Sequence, residues 1–205
     1  MKINFSAALA ALCALGVSDA KGENDRSAER MATRVCAMCH GPDGDSISPT
    51  FPRLAGQSAQ YVEAQLKSFR DRTRADPPAM AYMWGMAAQL DDATIKGLAT
   101  FYASREAQAV SHRPSPALEL GKEIYERGLP ANGVPPCGSC HGAAARGNAT
   151  VPRLAGQHPE YLFKQLAFFK AKLRGNDPVM AAVCAEMTDE QMRTVAAYAS
   201  SRQAK

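Results

Sequence analysis

The chain has 205 residues, of which 46% are hydrophobic and 21% charged, with 15 glycines and 13 prolines. That is ordinary for a soluble globular protein and excludes a disordered chain, a collagen-like chain and a polytopic membrane protein. A net charge of +4 is too mild for a dedicated nucleic-acid binder, and the length allows one domain or two small ones.

The chain opens with Lys2 and an apolar run from Ile3 to Val17. Ser18-Asp19-Ala20 then places small residues at the two positions a signal peptidase reads. This is the pattern of a secretory signal peptide cleaved after Ala20. The run is shorter than the ~20 residues a membrane span needs. Cys13 would leave with the signal, and a lipoprotein reading of it is weak because Leu12 precedes it. The mature protein is expected in a bacterial periplasm.

The rest of the chain is an internal repeat. Cys36-Ala-Met-Cys39-His40 recurs as Cys137-Gly-Ser-Cys140-His141, and Pro52-Arg53-Leu54-Ala55-Gly56-Gln57 recurs as Pro152-Arg153-Leu154-Ala155-Gly156-Gln157. Tyr61, Gln65, Leu66 and Phe69 return as Tyr161, Gln165, Leu166 and Phe169. Residues 21–110 and 117–205 are therefore two copies of one unit. The proline-rich stretch 111–116 between them reads as a stiff linker, with His112 a solvated residue in it.

The periodicity is helical. A helix is expected over Tyr61–Arg70, and another over Asp91–Ser104 with Asp91 or Asp92 near its cap and Ile95, Leu98 and Phe101 or Tyr102 inward. Pro116–Arg127 opens the second unit. Tyr161–Leu173 and Thr188–Ser201 repeat the earlier pair, with Thr188 as cap and Met192, Val195 and Tyr198 inward. Nothing alternates at period two, so the fold class is all-α, two tandem domains with long loops.

A unit of about 90 residues with few large apolar side chains is marginal alone. The Cys-x-x-Cys-His motifs say what completes it. Two thiols three residues apart lie about one helical turn from each other and reach the two vinyl groups of a haem. The next residue, His, is then held under the iron, which is the c-type attachment signature. A structural zinc site would pair two such units at short separation, whereas Cys39 and Cys137 are 98 positions apart. A thioredoxin-like pair would need a βαβ context. Simple disulfides leave the two histidines unexplained. Two covalently bound haem c groups are expected, with His40 and His141 as proximal ligands.

The distal ligand must come from Met80, Met83 or Met86 in the first half and from Met180, Met187 or Cys184 in the second. Met83 lies seven residues before Leu90, as Met180 lies seven before Met187. Met83 and Met180 are therefore expected on the iron. Met80, Met86, Met187 and Met192 are expected as core filler. Cys184 aligns with Ala87 and reads as a small core residue, against a reactive thiol or an intermolecular disulfide. His158 reads as a surface residue.

On these residues the chain resembles the dihaem cytochrome c4 family, two class I cytochrome c domains in tandem, over essentially the whole mature length. The resemblance rests on both haem motifs, both Pro-Arg-Leu-Ala-Gly-Gln segments, the Tyr-x-x-x-Gln-Leu helices and the two methionines. It implies a periplasmic, sometimes membrane-associated, carrier of single electrons towards a terminal oxidase. It also implies that the Pro52 and Pro152 carbonyls accept bonds from the ligand histidines, and that Arg53 and Arg153 lie near haem carboxylates. Trp84 and Cys184 depart from symmetry in the two methionine loops. A His/Met ligand set leaves no open iron position, so the expected partners are redox proteins rather than a small-molecule substrate. Two rival readings remain: the haem subunit of a flavocytochrome-type sulfide dehydrogenase, and a dihaem peroxidase or thiosulfate-oxidising enzyme. Residues 21–110 hold 11 basic and 11 acidic residues, and 111–205 hold 12 and 8. The second half is the positive one, which would orient docking on an acidic partner.

Overall fold

The structure is a computed structural model describing residues 22–23, 25–109 and 115–202. The expected signal segment, His112 and most of the expected linker lie outside the described residues. Among the described residues there is no strand, only an isolated antiparallel bridge between Leu129 and Val134.

In the first half, α1 (residues 25–31) runs through a π-helical stretch, Ala32–Cys36, into α2 (Ala37–His40). Helix α3 (Ala59–Arg70) starts where Ser58 accepts the Tyr61 N–H. A second π-helical stretch, Ala79–Met83, leads into α4 (Trp84–Ala87). Helix α5 (Asp92–Ala103) is capped by Asp91, which accepts the Thr94 N–H. Ile95, Leu98, Phe101 and Tyr102 all face inward on it, as expected.

The second half repeats the plan. Helix α6 (Pro116–Arg127) begins with proline at its first position, where the missing N–H costs nothing. A 3-10 turn at Pro130–Asn132 precedes α7 (Gly138–His141). Then come α8 (Pro159–Lys170), α9 (Pro178–Cys184) and α10 (Asp189–Ser201). Thr188 and Gln191 close a reciprocal capping box on α10. The helix expected to run to Leu173 ends at Lys170 instead: Lys172 turns left-handed at φ 57°, and Leu173 is left 46% exposed.

Helix α10 packs on α6 and α8, and α5 packs on α3. The α6–α10 crossing is close enough to require glycine: a Cβ on Gly121 would lie 2.1 Å from the Thr194 carbonyl oxygen. Ile124, Tyr125, Met187, Met192 and Val195 fill one contiguous core in the second half. Each such aliphatic side chain contributes about 1.5–3 kcal/mol on burial. The first half divides its core. Ala28, Val62, Leu98, Phe101 and Tyr102 form one cluster, and Phe69, Ala79 and Ala87 another.

The halves meet across a polar seam with an approximate two-fold pattern. Gln57 accepts the Arg153 N–H at 2.8 Å and donates to the Arg153 carbonyl at 3.0 Å. Gln157 does the same to Arg53, at 2.9 Å in both directions. Each glutamine follows a left-handed glycine, Gly56 at φ 66° or Gly156 at φ 74°. A Cβ on Gly156 would lie 2.2 Å from the Gln108 carbonyl oxygen. The six-residue repeat thus carries both the turn and the seam contact.

Candidate functional site

The two histidines are placed alike. His40 ends α2 and His141 ends α7; each is 7% exposed. His40 Nδ1 donates to the Pro52 carbonyl at 2.9 Å, and His141 Nδ1 to the Pro152 carbonyl at 3.0 Å. Such a bond fixes the ring orientation and leaves Nε2 as the lone-pair nitrogen. Burial pushes both imidazoles below the usual histidine range, against the opposing pull of the proline carbonyls. A neutral imidazole is the form that a metal takes.

Cys36 and Cys39 lie one turn apart next to His40, as do Cys137 and Cys140 next to His141. Cys36 and Cys137 are half-buried, Cys39 and Cys140 exposed, and all four are free thiols in the structure. Burial pushes Cys36 up and Cys137 up to about 11. One inner and one outer thiol thus precede each histidine. The Tyr102 hydroxyl is buried beside Cys36. The two thiols and the lone-pair nitrogen in each half form a donor set that fits a covalently attached haem.

Met83 and Met180 are both half-buried. Met83 packs against Phe69, Ala79 and Ala87. Its neighbour Tyr82 lies edge-on to Phe51 at 5.5 Å, and Phe51 edge-on to His40 at 6.1 Å, so the methionine loop reaches the histidine through two rings. Met180 sits in α9, where its N–H is held by Asp177 at 3.0 Å. Asp177 is also within electrostatic reach of His141. Met187 and Met192 are core residues, as expected, at 2% and 0% exposure. Met80 and Met86 are not: they stand 46% and 45% exposed. The wider winding of the π-helical stretch turns Ala79 inward and leaves Met80 outside.

Cys184 is fully buried, and burial pushes its thiol up to about 12. It occupies the core position that Ala87 holds in the first half. His158 is not a surface residue. It caps α8 at 8% exposure, and its Nε2 hydrogen-bonds the Ser46 carbonyl of the other half at 2.8 Å. Arg53 is committed to Asp45 at 3.0 Å, to the Ser46 carbonyl and to the Gly156 carbonyl. Sequence reasoning missed Arg74 and Arg174, each 5% exposed at the seam. Their equal spacing in the repeat, alongside the identical Tyr61/Tyr161 and Gln65/Gln165 pairs, was the available signal.

The family model described as cytochrome c matches residues 26–105 and again 118–203. The chain is 40% identical over 202 residues to cytochrome c-552 of Acidithiobacillus ferridurans, covering 96% of this chain and 85% of that protein. It is 32% identical over 198 residues to cytochrome c4 of Azotobacter vinelandii, covering 91% and 94%. A thiosulfate dehydrogenase electron acceptor of Stutzerimonas stutzeri is 35% identical over 82% of this chain and 78% of its own length. Among solved structures, cytochrome c4 of Acidithiobacillus ferrooxidans superposes with a TM-score of 0.76 at 39% identity, over 81% of this chain and 98% of that one. Among the described residues no helix is long and apolar enough to cross a membrane.

Proposed function

Because the chain belongs to the dihaem cytochrome c4 family, and so is an electron-transfer cytochrome with two covalently bound haem c groups, we propose that it works as a periplasmic shuttle of single electrons between redox proteins, towards a terminal oxidase. Cys36 and Cys39 attach one haem and Cys137 and Cys140 the other. His40 and Met83 ligate the first iron; His141 and Met180 ligate the second. The observation that carries this reading is the repeated histidine-to-proline-carbonyl bond, which readies Nε2 as a ligand in both halves.

A haem c with these ligands supplies a reversible one-electron couple, which the soft methionine sulfur biases towards Fe(II). The chain's part is to hold the ligands. The proline carbonyls orient the imidazoles, and the π-helical stretch and Asp177 position the two methionines. The test is a haem assay with optical redox titration: two covalent haems per chain, and an oxidised spectrum unchanged by cyanide. One haem per chain, or prompt cyanide binding at either iron, would overturn it.

A second reading has specific support: the relative named as a thiosulfate dehydrogenase electron acceptor favours service to one dedicated dehydrogenase, either as its acceptor or as its bound haem subunit. Stoichiometric co-purification with a catalytic subunit, flavin-containing or not, decides for that reading.

A further inference from the structure

The first half carries an exposed apolar face that its fold does not use. Between Asp76 and Asp91 the chain has no charged side chain. Pro77, Met80, Ala81, Tyr82, Gly85 and Met86 in that stretch are exposed. Two more large apolar residues stand in solvent on either side of His40 in the chain: Met38 between the first pair of thiols, and Ile47 in the loop that leads to Phe51. Aromatic and methionine side chains, with charge depleted, mark the cores of protein–protein interfaces. A large exposed apolar patch marks a contact site.

A series of rings leads inward from this face. Tyr82 precedes Met83, and Phe51 precedes Pro52, whose carbonyl accepts the His40 N–H. Tyr82 meets Phe51 edge-on at 5.5 Å, and Phe51 meets His40 edge-on at 6.1 Å. Both contacts fall in the ~4.5–7 Å range of interacting aromatic pairs. The series runs from solvent to core: Tyr82 is exposed, Phe51 half-buried and His40 buried. It joins the loop of one proposed iron ligand to the loop of the other. The second half cannot build it, because Val151 stands in the place of Phe51, Val179 in that of Tyr82 and Ser139 in that of Met38. Charge separates the halves as well: residues 21–110 balance their charges, whereas 111–205 carry an excess of four positive ones.

We propose that this face is the docking surface through which the first half exchanges electrons with a redox protein whose own docking rim is apolar and uncharged, and that Tyr82 and Phe51 carry the coupling from the contact to His40. The proposal rests on the electron-carrier reading above and names the partner of that same site. The partner's class follows from charge. A charged rim laid on the stretch between Asp76 and Asp91 loses its hydration and finds no counter-charge there. An apolar rim gains by the burial. The step moves one electron: the partner loses it and the first iron gains it, or the reverse, with no bond made or broken and no proton moved. The basic second half, without the rings, is the surface that charge would steer.

The test is electron self-exchange of the full holoprotein, with a second copy of the chain as the probe. It is read from the broadening of haem methyl proton resonances in partly reduced samples at low and high salt. Two first halves can meet on their uncharged faces, while two second halves repel each other. The expected rate constant therefore barely changes with ionic strength. Met80→Glu and Met80→Lys should each lower it about tenfold, because either charge is desolvated without a partner. Leu120→Glu, on the exposed side of α6, should leave it unchanged. Tyr82→Leu keeps an apolar side chain but removes the ring, and Phe51→Val copies the second half. Each should lower the rate several-fold while the near-infrared band and both midpoint potentials stay as in wild type. A rate that rises with salt, or that responds oppositely to the two charges at position 80, would assign the contact to charged surfaces and overturn the proposal. A wild-type rate in both ring variants would overturn the route through Tyr82 and Phe51. A lost near-infrared band would overturn it too, by making the rings a brace for Met83. Fewer than two haems per chain, or cyanide binding at either iron, would sink the electron-carrier reading itself, independently of every rate.

Discussion

Between Arg74 and Met83 the first half has eight residues; between Arg174 and Met180 the second has five. The first half takes up the difference with the π-helical stretch Ala79–Met83 and anchors it by the Trp84 bond to the Arg74 carbonyl. The second half uses one α-helix, started by Asp177 and Pro178. Core volume is redistributed accordingly, with Cys184 buried where the first half has Ala87. Two different loops thus deliver a methionine from the same frame. The halves also differ at the seam: Arg74 faces the carboxylate of Asp76, and Arg174 the neutral amide of Asn176. The repeat preserves the proposed iron ligands and leaves the electrostatics around them free to diverge, which would let one duplicated unit hold its two irons at different potentials.

The strongest way to break the comparison is to remove one cofactor. Replacing Cys137 and Cys140 together by Ser should lower the haem count from two per chain to one and unfold the second half, whose core depends on that filling. The same change at Cys36 and Cys39 should do this to the first half. A count that stays at two would refute the attachment sites. Next in size is the ligand test. Met83→Ala and Met180→Ala should each remove half of the near-infrared sulfur-to-iron band of the oxidised protein. Met80→Ala and Met86→Ala should leave it intact, since both side chains stand outside.

Asp76→Asn makes the first half's seam like the second's. It strips the buried Arg74 of its carboxylate, whose side chain is 1% exposed. Breaking such a pair costs about 3 kcal/mol, read as a lowered denaturation midpoint. Little loss would mean that Arg74 is neutralised mainly by something other than Asp76. Cys184→Ala converts the second core to the first's composition and should cost about 1 kcal/mol. The native Cys184 thiol should label slowly, being buried and high in pKa; fast labelling would contradict its packing.

The smallest effects separate the two caps. Thr188→Ala should cost about 1 kcal/mol at any pH. Asp91 titrates: the Thr94 N–H and hydroxyl hold its carboxyl below the usual range. Its contribution is therefore present above its unfolded pKa and disappears as pH falls through the lowered folded value. Thermal melts of Asp91→Ala should converge with wild type in acid, while Thr188→Ala melts should not.

Much of this protein was determined by sequence alone. Helices with a clear stripe, such as Pro116–Arg127 and Thr188 onward, were readable because a 3.6-residue period is a local property. The haem motifs were readable because attachment needs two thiols and an imidazole within five residues. The duplication then aligned Met83 with Met180 without any structure. The tertiary fold decided what depends on residues about a hundred positions apart. His158 is buried because Ser46 of the other half supplies its acceptor, and nothing in Gln157-His158-Pro159 announces that. Met80 faces outward on the π-helical stretch and Met86 on the α-helical turn that follows it, and a hydrophobic count cannot tell which methionine such turns expose. The seam lies between these cases. Its tyrosines, glutamines and arginines were visible as repeated polar residues, yet only packing two copies face to face buries them, because each half's polar groups find their partners in the other.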